Sequence, residues 1–144
     1  MGRLGENVRD EQGLAYYAFS RMEAGLGPGP WMAVAGVNPQ NVEQAVESIL
    51  VELRRLRDTP VESDELDDVK AYLTGSLPIL LETNEGVARS LLDMELYDLG
   101  LDYLQRYPGL IEAITAQEVQ EAARTYLNPE AYALAIAGPA GTRD

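Results

Sequence analysis

The sequence predicts an α+β fold in which a small antiparallel sheet, a hairpin plus a C-terminal strand, packs against several helices. Three observations predict it. Two short apolar runs, Leu14 to Glu23 (LAYYAFSRME) and Pro30 to Val37 (PWMAVAGV), flank a connection rich in glycine and proline. The long stretch that follows repeats apolar residues every three or four positions, the period of helices buried on one face. A last apolar run, Tyr132 to Ala137 (YALAIA), reads as a strand that must pair with the hairpin to be stable.

Gly25-Leu26-Gly27-Pro28-Gly29 suits a hairpin connection better than a phosphate-binding turn, because a second strand follows where that motif requires a helix. Trp31 reads as a packed strand residue. A helix is expected to start at Asn38-Pro39, with Asn38 as N-cap and Pro39 at the first helical position. Its buried face is expected to carry Val42, Val46, Ile49, Leu50, Leu53 and Leu56, leaving Glu43, Glu47, Glu52, Arg54 and Arg57 to solvent. Thr59-Pro60 ends it. Ser63 is positioned to cap the next helix, whose stripe is Leu66, Val69, Leu73 and Leu77, and Pro78 should kink or end that helix. A third helix from about Asn84 to Leu99 buries Val87, Leu91 and Met94, with Gly100 as a left-handed cap. Leu101 to Ile114 reads as short helical turns interrupted by Pro108. Thr115 and Glu118 form a capping box for a helix running to about Leu127, which Asn128-Pro129 breaks.

Composition removes whole classes of chemistry. The chain has 144 residues, no cysteine and no histidine, so thiolate or imidazole metal sites and Cys, His or Ser-His catalysis are absent. The acidic run Glu62-Ser63-Asp64-Glu65-Leu66-Asp67-Asp68 lacks the glycine and the ligand spacing of a calcium loop and instead opens a helix, where carboxylates favour the positive dipole end. With 24 acidic against 11 basic residues and a net charge of -13, nucleic acid is not an expected partner. No apolar run approaches the ~18 residues of a membrane span. Residues 1–12 lack an apolar signal core, and with the lack of cysteine this favours a cytoplasmic location. A basic peptide would be steered toward this charge, although the charge on outer helix faces leaves substrate charge open.

Three segments, taken together, resemble one family. The first is Gly2-Arg3-Leu4 leading into Arg9-Asp10-Glu11-Gln12-Gly13-Leu14-Ala15-Tyr16. The second is Glu65-Leu66 through Lys70 to Thr74-Gly75-Ser76-Leu77, followed by Leu81-Glu82-Thr83-Asn84-Glu85-Gly86. The third is Ile114 to Val119 with Ala122-Ala123, Tyr126-Leu127-Asn128-Pro129 and Ala137-Gly138-Pro139. They resemble the inverted-zincin metallopeptidases that include pitrilysin, insulin-degrading enzyme and the mitochondrial processing peptidases. Those peptidases are built from two related halves, and their zinc motif H-x-x-E-H lies in the amino-terminal one.

The resemblance is therefore to the C-terminal, metal-free half. It implies that residues 1–144 are a single domain, a truncated C-terminal half-domain that lacks its opening strand and helix. It implies a zinc ion on a partner half or subunit carrying H-x-x-E-H, a peptide substrate enclosed between the halves, and no activity in this chain alone. A sheet edge left open by a missing strand would let two copies pair edge to edge as a homodimer. The resemblance also places Arg9 and Tyr16 across the chamber from the zinc, as donors that orient the peptide and support charge on its carbonyl oxygen. Without it, Arg9 can equally pair with Asp10 or Glu6, and Tyr16 can be a strand residue half in the core. Gly13 is read as a turn between helix and strand, and strand alternation puts Tyr17 on the face opposite Tyr16. A non-enzymatic assembly or peptide-binding module of the same fold is the alternative function, and an independent binding protein sharing the fold is a third.

Overall fold

The computed structural model describes residues 2–138; Pro139 lies outside the described residues. The chain divides into two compact units, one formed by residues up to Thr59 with those from Ala123 onward, the other by Pro60–Ala122.

The first unit opens with a π-helical segment, Gly5–Glu11. Two antiparallel strands follow, β1 (Ala15–Met22) and β2 (Trp31–Val37). Their connection is closed at its neck by Glu23 N–H donating to the Pro30 carbonyl at 3.0 Å. Ala18 pairs with Ala35, Ser20 with Ala33 and Met22 with Trp31, and Trp31 is half-buried. Asn38 caps a short 3-10 turn, Pro39–Asn41, by accepting from Gln40 N–H, and the turn leads into α1 (Val42–Asp58).

The core is built from small residues. Leu4, Val8, Leu14, Ala18 and Ala45 are buried together, with Ala33, Ala35, Val37 and Ile49 packed against them. Alanines on the inner face of the sheet and on α1 let the opening segment sit close to both, and Val8 is fully enclosed. This closeness turns α1 away from the expected face. Leu50 is buried and Ile49 packs on the core, but Val46, Leu53 and Leu56 are only half-buried, and the remaining buried positions are Ala45, Ser48 and Glu52. Glu52, expected in solvent, is thus a correction: its Oε1 accepts the hydrogen bond described below, while its Oε2 is buried with no hydrogen-bond partner among the described residues.

The expected C-terminal strand is the second correction. Among the described residues the sheet has two strands, and Tyr132–Ala137 carries no strand pairing. Tyr132, Leu134 and Ile136 all face solvent. Alternation and composition favour a strand but do not supply an adjacent ladder of hydrogen bonds. Pro129, which breaks the preceding helix, is fully buried.

The second unit is helical: α2 (Ser63–Leu80), α3 (Asn84–Leu96), α4 (Tyr103–Glu112) and the start of α5 (Ala116–Tyr126), whose last turn crosses into the first unit. Ser63 is the first residue of α2 rather than its cap; Glu62 holds the extended position before it, and the Ser63 hydroxyl bonds Asp64 instead. Thr83 caps α3 by accepting from Gly86 N–H at 3.0 Å. Met94 is buried on α3 as expected, but Val87 and Leu91 are exposed. Gly100 adopts φ +85°. α4 runs through Pro108, whose nitrogen has no hydrogen to donate to the carbonyl four residues back. The capping box forms: Glu118 N–H donates to Thr115 Oγ1 at 3.2 Å, and Thr115 N–H donates to Glu118 Oε2 at 2.8 Å.

Candidate functional site

Arg9 and Tyr16 lie on either side of the turn that joins the opening segment to β1. Gly13 makes that turn at φ +61°, a conformation that costs a glycine little and other residues more. Gly13 N–H donates to the Arg9 carbonyl at 3.1 Å and Leu14 N–H to the Val8 carbonyl at 3.0 Å. The backbone carrying Arg9 is therefore tied directly to the start of the strand. Leu14, just past the turn, and Val8, one residue before Arg9, are both core residues. The side chains between them are thrown outward on a buried base.

A chain of polar contacts fixes the same segment to α1. Asn7 Nδ2 donates to Glu52 Oε1 at 2.6 Å, Gln12 Nε2 donates to Asn7 Oδ1, and Ser48 Oγ donates to Gln12 Oε1 at 3.0 Å. Sequence reasoning missed this chain because its two links to α1 join residues 36 and 45 apart. The available signal was Ser48 and Glu52 falling at helical spacing on the same face as Ala45 and Ile49.

Arg9 is exposed, and its Nε stands 3.7 Å from Asp10 Oδ1. That distance between two solvated groups is a weak restraint. Tyr16 is 86% exposed, which removes the half-buried reading. Its position is a consequence of register: Ala15 pairs with Val37 and Tyr17 with Gly36, so Tyr16 is the extra residue of a β-bulge. A bulge breaks strict alternation and redirects a side chain. Tyr17 accordingly stands beside Tyr16 rather than remote from it, the ring centroids 6.5 Å apart and the planes at 79°. Tyr17 and Phe19 share the outer face of the sheet with centroids 5.9 Å apart.

The described residues bring together no donor set for a metal. The sequence has no histidine or cysteine, and no group of three or more acidic residues among the described residues could hold an ion. These residues do not fit a zinc site. No helix among the described residues is long and apolar enough to cross a membrane.

Residues 1–73 match the family model described as the peptidase M16 inactive domain. An uncharacterized zinc protease, YmxG of Bacillus subtilis (strain 168), is 31% identical over 140 residues, covering 96% of this chain and 34% of that protein. A probable inactive metalloprotease of the same organism, YmfF, is 25% identical over 116 residues, covering 81% of this chain and 26% of its own length. The crystal structure of a peptidase M16 inactive domain from Pseudomonas fluorescens superposes with a TM-score of 0.71 at 25% identity, covering 88% of this chain and 30% of that one. The chain spans about a third or less of the length of these relatives. The segment that holds Arg9 and Tyr16 falls inside the matched residues, and the chain belongs to the M16 metallopeptidase family as its inactive, C-terminal half-domain.

Proposed function

We propose that this chain is the non-zinc half of a zinc-dependent endopeptidase, that it encloses and orients a peptide against a separate half carrying H-x-x-E-H, and that it is inactive alone. The observation that carries the reading is the pair of strong hydrogen-bond donors, Arg9 and Tyr16, held outward on a backbone anchored in the core. An exposed guanidinium and phenol on a rigid base can donate to a substrate carbonyl oxygen without reorganising during reaction. Any zinc belongs to the partner half, where this chain supplies no ligand.

The test is cleavage of a quenched fluorescent peptide library by this chain, by the zinc-loaded H-x-x-E-H half, and by their mixture. Activity is expected only in the mixture. Arg9→Ala or Tyr16→Phe should lower kcat by about 10²-fold, the usual loss on removing one preorganised donor, with the melting temperature of the chain unchanged. Full activity from the zinc half alone, or indifference to both substitutions, assigns the chain to the alternative, a non-enzymatic assembly or peptide-binding module. One observation favours that second reading: among the described residues the outer edges of β1 and β2 are unpaired, and such edges accept a further strand, including one from a second copy. Light scattering that finds a monomer at every concentration removes the homodimer.

A further inference from the structure

Gly36 lies within β2, where a glycine weakens a strand unless something approaches its backbone closely. Its φ is not in the left-handed region, so backbone freedom does not explain it. The approach is made by Tyr17. A Cβ at position 36 would stand 2.5 Å from Tyr17 Cε1 and 2.7 Å from Cζ, well inside van der Waals contact, so the tyrosine ring lies directly over the glycine. The same pair, Tyr17 opposite Gly36, is where the register resumes after the bulge at Tyr16. The ring neighbours both Tyr16 and Phe19, at centroid distances of 6.5 and 5.9 Å. It therefore fills the outer face immediately beside the residue that the bulge redirects.

We infer that Gly36 and Tyr17 are positioning residues: the bare backbone of Gly36 seats the Tyr17 ring, and the seated ring sets the direction of Tyr16. This rests on the reading of Tyr16 given above. Any side chain at position 36 lifts the Tyr17 ring off its seat and pushes it toward its neighbours, whereas loss of the ring leaves Tyr16 without its lateral support. A glycine kept only for folding would affect stability and leave Tyr16 where it is.

Two measurements separate these. In the 144-residue chain with isotope-labelled tyrosine rings, the Tyr16 resonance is assigned by its disappearance in Tyr16→Phe. Gly36→Ala and Tyr17→Leu are expected to move it, and Tyr17→Phe, which keeps a ring over Gly36, to leave it in place. In the mixture with the zinc half, Gly36→Ala is expected to lower kcat about tenfold with KM within about twofold, as misplacement of an orienting group does. On a Tyr16→Phe background the same substitution should cost less than about twofold, because residues acting through one another are not additive. An unmoved Tyr16 resonance in both Gly36→Ala and Tyr17→Leu overturns the inference, as does an equal loss with and without the Tyr16 hydroxyl. Tyr17→Leu adds no bulk at the seat, so it reports even where Gly36→Ala fails to fold. If Tyr16→Phe is itself silent in cleavage, the role proposed for the Tyr16 hydroxyl falls, and the ring resonances alone then support or overturn the seat.

Discussion

The two units hold themselves together by different means. In the first, Val8, Leu14, Ala18 and Ala45 close around one another, and polar side chains on α1 are buried only where they hydrogen-bond the opening segment. In the second, no residue of α2 or α4 is fully buried. Leu73, Leu77 and Leu80 of α2 and Tyr103, Leu104 and Tyr107 of α4 instead line a cavity of about 350 Å³. A small, dense core suits the proposed function, in which the opening segment holds two side chains still. Open helical packing suits a region whose apolar surface is only partly used within the chain. Native-state hydrogen exchange should therefore find α2 and α4 opening at lower free energy than α1.

Core truncations sharpen the contrast. Leu14→Ala removes a buried side chain between the turn and the strand and should destabilise by about 3 kcal/mol. Leu77→Ala removes a half-buried side chain that already borders open space and should cost about 1 kcal/mol. Denaturant titration of the two variants measures the difference directly. Equal losses would mean that the second unit is packed as tightly as the first. Next in size is Thr83→Ala, which deletes the hydroxyl that accepts from Gly86 N–H and should cost about 1 kcal/mol. In the second unit a single cap would then weigh as much as a leucine, which would not hold in the first.

Features set by neighbours in sequence were legible: the hairpin, the Asn38 cap, the Gly13 and Gly100 turns, and the Thr115–Glu118 box. Each depends on backbone groups within a few residues, and the residue types encode it. Features set by what arrives from elsewhere were not. The face that α1 buries depends on how closely the opening segment approaches, and the small residues that permit this carry little hydrophobic signal. Tyr132–Ala137 has the composition of a strand without a ladder to join. At the site, Arg9 and Tyr16 were singled out only through the family resemblance of their segment, and the bulge at Tyr16 was not legible at all, because register is a property of two strands. The Gly36 seat was hidden for the same reason.

The smallest expected effect is electrostatic, and it distinguishes two caps within the same unit. Glu118 is held below its ordinary carboxyl value first by the Thr115 hydroxyl and then by the Thr115 backbone N–H. A carboxylate whose folded value is depressed contributes stability above its unfolded value and loses it as pH falls through the folded one. The contribution of Glu118 should thus be complete at neutral pH and vanish in acid below the ordinary carboxylate range. Glu118→Gln, which can still accept from Thr115, removes the charge but keeps the box, so its deficit relative to the parent chain should be small at neutral pH and disappear on acidification. The Thr83 cap uses an uncharged hydroxyl and has no such dependence, so the deficit of Thr83→Ala should stay level across the same range. Melting curves of the two variants against pH, each referred to the parent chain, test this. The absence of any Glu118→Gln deficit at neutral pH would mean that the box acts through geometry alone, and the two caps would then be equivalent.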